Sequence, residues 1–320
     1  MQATPNAVLL AGRIGRWQWP WALLGSGLMV ALAFGLVGAG GWVEGRLARG
    51  LRRSRSDEQA LIPGHLEDFA GFALFGIALV AAAALVLLLL HRQDPRRAIS
   101  PDRHFDWRLF AKTAFAYFLV LLFGTVVDYA MDPGSYKLMP RTWSHVPWLL
   151  LGALVILPQA FGEDYVFKGY LTRVWGAVIP VRLVLIPLVA GLFTSGHLVN
   201  DDMKTDLVFN VIGFITSEIL ALVIFVRTGS LAATTGYHWM NNVYTFCLVS
   251  THPGQSDALS LVRATDTLVL AGKSHLYDPM SWVAMVVGLS LLAGLLFWHR
   301  SPFYLEPYTP TEVTPVPSPM

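Results

Sequence analysis

Charge is scarce in this sequence: 14% of its 320 residues are Asp, Glu, Lys or Arg and 54% are hydrophobic, where a soluble domain carries about 25% charged residues. That shortage excludes an ordinary soluble domain and points to an integral membrane protein. Cysteine is nearly absent. The single Cys247 excludes an internal disulfide framework and, set in an apolar run, reads as a small core residue. A net charge of +2 spread over loops offers no face for nucleic acid, so none is expected as a partner. Several catalytic signatures are missing too. There is no Gly-x-Ser-x-Gly, and Ser26 between Gly25 and Gly27 stands without a base. No His-Glu-x-x-His zinc helix occurs. An aspartyl-type intramembrane pair would need Gly-x-Gly-Asp beside its Tyr-Asp, and Tyr277-Asp278 has no such companion. No internal repeat is visible, which disfavours a transporter built from two related halves.

What is present are long apolar runs. On the criterion of roughly 20 apolar residues per span, about eight transmembrane helices are expected, near 19–43, 67–91, 108–130, 147–175, 181–199, 207–227, 231–250 and 280–299. The fold class is therefore an all-α polytopic bundle in the lipid bilayer. The first run is too long for a signal-peptide core and reads as a retained span. The chain divides into a polar interfacial segment (1–18), three scaffold helices with basic loops (19–144), a core of four helices (145–250), a loop with the last helix (251–300) and a Pro-rich tail (301–320) expected to be disordered. Arg46, Arg49, Arg52, Arg53 and Arg55 suggest a membrane-skimming loop, and 251–279 suggests a loop with a short interfacial helix. Arg13, Arg16, the basic stretch 91–108, Arg182, Arg227 and Arg300 place both termini in the cytoplasm, with Asp201, Asp202 and Asp206 outside.

Into the fourth run fall Glu163 and Asp164. A charge near mid-bilayer costs at least about 2.5–3.5 kcal/mol, so it faces a partner, a cavity or a reaction. Asp164 and Lys168 are four apart and share a helix face, predicting an internal ion pair. Glu163 lies about 100° around the axis and is free to face other helices, either as a pin between them or as a general base that takes a proton from water. Phe193 and His197 are four apart on the fifth run, and His238 and Asn242 on the seventh. At about 1.5 Å per residue, Glu163 lies roughly 18 Å from the inner end of its span, His238 roughly 10 Å and His197 roughly 20–25 Å. These depths are compatible with one polar layer. An imidazole and an amide aimed at one point are suitable donors for an oxyanion. Glu163, His197 and His238 could also ligate a metal, zinc being compatible with a His₂Glu set, although no cofactor is required. Phe167 and Tyr170 are expected to line the cavity that Glu163 faces. Glu218, Asn210, Asp128 and Arg173 read first as contacts between helices or at the interface, and Trp239 as packing.

Together the three stretches resemble the CAAX-protease and bacteriocin-processing family of intramembrane peptidases. Glu163-Asp164-x-x-x-Lys168 is similar to its Glu-Glu-x-x-x-Arg, Phe193-x-x-x-His197 to its Phe-x-x-x-His, and His238-x-x-x-Asn242 to its His-x-x-x-Asn. The resemblance implies an eight-helix bundle with a cavity opening toward the cytosol. It implies that Glu163 and His197 activate water, that His238 and Asn242 stabilise the oxyanion, and that Asp164, Lys168, Phe193 and Phe167 support them. The substrate would be a membrane-tethered peptide or protein, lipidated ones included. Lysine in place of arginine exchanges a bidentate fork for a point charge. The alternatives are a non-catalytic scaffold or immunity protein that keeps the polar cluster for packing, and a proton-coupled transporter.

Overall fold

A computed structural model of the chain describes residues 18–52, 65–140, 143–179, 181–200, 203, 206–250, 259–265 and 273–308; the side chains of 40–52, 65–70 and 144 lie outside that description. The helices are α1 (Trp19–Arg52), α2 (His65–Leu89), α3 (Trp107–Met131), α4 (Val146–Asp164), α5 (Thr172–Val178), α6 (Arg182–His197), α7 (Leu207–Thr228), α8 (Leu231–Val243) and α9 (Pro279–Phe297). Residues Tyr165–Leu171 join α4 to α5 as π-helix, making one rod of 33 residues from Val146 to Val178. Among the described residues, six helices are long and apolar enough to cross a membrane, and α6 is a shorter apolar helix. The protein is thus an all-α polytopic membrane bundle, as its composition requires. Large apolar side chains such as Phe34, Leu89, Leu150 and Leu183 stand exposed on its outside, the arrangement expected where the solvent is lipid.

The loops gather at two ends. At one, Leu231 N–H donates to Ile99 O and Tyr308 N–H to Arg227 O, each at 2.8 Å. At the other, three short strands form a sheet in the order β1 (Tyr136–Leu138), β3 (Val262–Ala264), β2 (Val249–Ser250), β1 antiparallel and β2 parallel to β3. There His145 Nε2 also donates to Leu259 O at 2.8 Å, and Asp206 accepts from Ser274 Oγ at 2.8 Å and His275 N–H at 2.6 Å. Asp278 caps α9 through Met280 and Ser281, and the hydrogen bond from Ser281 holds its carboxyl below the usual carboxylate range. The order of elements makes the chain alternate between the ends, so that α1 starts and α9 finishes at the same one.

Several expectations are corrected. α1 continues as helix through Arg52, so Arg46, Arg49 and Arg52 lie on a helix and not in a loop, because no Pro interrupts the chain there; Arg53 and Arg55 lie outside the described residues. The described part of 251–279 contains β3 and a 3-10 turn, His275–Tyr277, in place of an interfacial helix. Residues 301–308 are packed and not disordered. Leu305 is fully buried, its N–H donates to Leu296 O at 2.8 Å, and its carbonyl accepts from Arg227 Nε at 2.9 Å; one apolar anchor and a paired backbone suffice to hold the segment. The remainder of the tail, the segment 1–17, and Asp201 and Asp202 lie outside the described residues.

Close contact between α2 and α4 sets the height of the helix that carries Glu163 and Asp164. A Cβ on Gly76 would overlap the carbonyl of Pro158, and one on Gly162 the carbonyl of Gly76. Without a strong hydrophobic drive between helices in lipid, such small-residue contacts let packing hold the pair. Gly76→Leu is expected to cost about 1–3 kcal/mol through overpacking, read as a lowered unfolding midpoint in detergent; an unchanged midpoint would show that the two backbones separate freely.

Candidate active site

Two irregularities bracket the acidic pair. Pro158 lies inside α4, where its ring leaves a carbonyl one turn earlier without its helical donor. The π-helix begins directly after Asp164, with Thr172 N–H donating to Phe167 O; such π turns recur at functional sites. Lys168 still falls one turn from Asp164. Its Nζ, fully buried, lies 2.8 Å from Asp164 Oδ1 and 2.8 Å from Glu218 Oε2 on α7. Asp164 also accepts from Thr235 Oγ1 at 3.0 Å and from His238 Nδ1 at 3.1 Å, both on α8. One carboxylate thus joins the π-turn to α8, and one ammonium joins both to α7.

Glu163 turns the other way. Its Oε2 lies 3.5 Å from His238 Nε2 and 4.0 Å from His197 Nε2, and it is buried without a hydrogen-bond partner. Both imidazoles are oriented from behind. His197 Nδ1 donates to Phe193 O at 2.9 Å, and His238 Nδ1 donates to Asp164. A carbonyl and a carboxylate only accept, so in the neutral rings each Nε2 is left as a lone pair facing Glu163. Phe193 forms the wall between them: its ring centroid is 4.5 Å from that of His197, 6.0 Å from that of His238 and 5.2 Å from that of Phe167, while Lys168 Nζ lies 5.0 Å from its centroid. Phe214 closes on His197 at 4.9 Å.

Asn242 stands one turn along α8 from His238, and its Nδ2 donates to Gln159 Oε1 at 2.9 Å. Since His238 meets Glu163 and Asn242 meets Gln159, α8 runs antiparallel to α4, and the amide pair lies about 5.4 Å below the acid–imidazole layer. Asn241 donates to Asn242 Oδ1 at 3.2 Å and accepts from Tyr117 at 3.2 Å. The structure therefore brings Glu163, His197 and His238 together, with Asp164, Lys168, Phe193 and Phe167 around them and Asn242 adjacent.

Tyr170 is a correction. Its hydroxyl meets His91 Nε2 at 3.1 Å and packs against Gly25, facing α1 and α2, because the wide π turns rotate the residues after Asp164 away from regular α-helical positions. Gln159 went unnoticed in the sequence, although it is an amide in an apolar run one turn before Glu163. Glu218 is a contact between helices, as its place in an apolar run suggests; that its partner is Lys168 carries no sequence signal. Asp128 likewise accepts from Tyr136 at 3.2 Å, Trp239 donates to Ala153 O at 2.8 Å, and Cys247 is buried. Among the described residues, no group of three or more His, Cys, Asp or Glu side chains has the arrangement of a metal-binding set.

The fold and site together define a polytopic membrane protein with a buried acid between two oriented imidazoles. Residues 143–244, the segment holding every one of these groups except the loops around them, match the family model for the type II CAAX prenyl endopeptidase Rce1-like. Over that segment the match supports the resemblance to the CAAX-protease and bacteriocin-processing peptidases, and the family it matches is one of type II CAAX prenyl endopeptidases. The chain is also 28% identical over 246 residues to "Uncharacterized protein YyaK" of Bacillus subtilis (strain 168), covering 76% of this chain and 79% of that one. No solved structure gives a significant match.

Proposed function

We propose that this chain is an endopeptidase that hydrolyses a peptide bond of a membrane-tethered peptide or protein, with Glu163 and His197 activating the attacking water. The observation that supports this most is the buried Glu163 Oε2, which has no hydrogen-bond partner and lies between two Nε2 atoms whose rings are fixed from behind. A water held there donates one proton to Glu163 and is oriented by His197. Its oxygen adds to the scissile carbonyl carbon, and the carbonyl oxygen takes the negative charge. His238, in its protonated form and backed by Asp164, and the second N–H of the Asn242 amide donate to that oxyanion. On collapse the C–N bond breaks, the proton on Glu163 passes to the leaving amine, and a free carboxyl end remains. Asp164, Lys168 and Glu218 hold the imidazole and keep its orientation.

The side chains of this site suffice for the reaction so written, and no metal is needed. If they bound zinc, Glu163, His197 and His238 would be the ligands, and the ion would polarise the water. Cleavage is expected to survive dialysis against a chelator with its rate unchanged. A loss reversed by added zinc would move those three side chains from proton transfer to ligation.

The basic residues Arg92, Arg96, Arg97, Arg103, Arg108, Arg182, Arg227 and Arg300 belong to the end at which α1 starts and α9 finishes. By the positive-inside tendency, this supports a cytoplasmic location for both termini. The direct test of the function is to reconstitute the protein in liposomes with a panel of membrane-anchored peptides and identify cleavage products by mass spectrometry. If nothing across a broad panel is cleaved, the scaffold reading takes precedence.

A further inference from the structure

A second polar site, independent of peptide cleavage, is built where α5 meets the basic loop. Arg173 is ten residues past Glu163, about 15 Å along the rod, and only 4% exposed. Its Nε and Nη2 are buried without hydrogen-bond partners. One side of the guanidinium is covered by Phe225, whose ring centroid is 5.6 Å away. Tyr165 lies about two turns before it on the same rod, and Arg97 and Tyr308 belong to the loops at this end of the bundle. Gly169 lies one turn before Arg173, and the Ala98 carbonyl packs directly on it, which brings the residue after Arg97 against this rod.

The carboxylate on the neighbouring loop is already engaged. Asp94 is bound by Arg96 at 3.0 Å and Arg103 at 3.5 Å, and the Arg96 guanidinium holds its carboxyl below the ordinary value. Tyr165 donates to Pro95 O at 2.8 Å. Arg227, a further cation at this end, has its own partners in Leu305 O and the Tyr304 hydroxyl, the latter at 3.0 Å. A buried guanidinium with open donors is unfavourable unless an anion completes it. The planar fork of a guanidinium suits the oxygens of a phosphate, and basic pockets between transmembrane helices at this level take phosphate headgroups.

We propose that Arg173 and Arg97, with the hydroxyl of Tyr308, bind a phosphate-type oxyanion, carried by an anionic lipid headgroup or free. The test uses the full chain in detergent, with phosphatidic acid, with diacylglycerol, which differs from it by the phosphate alone, and with inorganic phosphate. Thermal unfolding and native mass spectrometry are the readouts. Phosphatidic acid is expected to raise the midpoint and be retained, and diacylglycerol to do neither. Arg173→Met is expected to weaken retention about tenfold, and Arg97→Gln, on the partly exposed loop, several-fold. An equal effect of inorganic phosphate that Arg173→Met removes would identify a free ion as the ligand and keep the site. Equal retention of both lipids without a phosphate response, or the same phosphatidic acid response in wild type and Arg173→Met, overturns it. Should Arg173→Met fail to fold, an unchanged response in Arg97→Gln overturns it.

Discussion

Glu163→Gln is expected to abolish detectable cleavage and to leave a folded protein. The expected fall in kcat is at least the range of about 10²–10⁴ that a positioned general base contributes, since an amide of the same shape cannot accept the proton from water. Stability should change by less than about 1 kcal/mol, because the Oε2 that is lost makes no hydrogen bond to be broken. The measurement is product formation in liposomes beside an unfolding curve for the same preparation. A variant that cleaves like wild type ends the glutamate mechanism and leaves the acid as a pin between helices. A variant that is inactive but also unfolded would be replaced by His197→Gln, which removes the orienting Nε2 at the 19%-exposed side of the site.

Lys168→Met carries the second large effect, and it is one on stability. The ammonium lies 2.8 Å from each of two carboxylates on different helices, all three fully or almost fully buried. Removing one partner of a buried pair costs about 3–5 kcal/mol, because the charge left behind is neither solvated nor compensated; here two are left. Adding Glu218→Gln to Lys168→Met should recover part of the loss, and a double-mutant cycle should give a coupling of about 0.5–3 kcal/mol. The check is denaturation in mild detergent with helix content as the probe. Wild-type stability in Lys168→Met would mean that the two carboxyls are neutral and that the ammonium does not bind α7 to the π-turn. Activity should fall with it even where the variant folds, since His238 depends for its orientation on the same Asp164.

Within single helices, the sequence alone determined which polar side chains share a face. A period of 3.6 residues forces positions four apart onto one face, so Asp164–Lys168, Phe193–His197 and His238–Asn242 could be paired before any contact was known. The membrane class followed from composition, because lipid admits a backbone only where its hydrogen bonds close within the segment. What the tertiary structure alone decided is which faces meet. The height and rotation of α4 against α8 depend on the Gly76–Gly162 contact, the break at Pro158 and the π-helix after Asp164, none of which has a period that can be read along the chain. Those offsets put Glu163 between two Nε2 atoms, turned Tyr170 toward α2, gave Asn242 a partner in Gln159 and delivered Glu218 to Lys168. They are set by packing between segments dozens of residues apart, where a displacement of one turn would separate every pair that the local pattern had prepared.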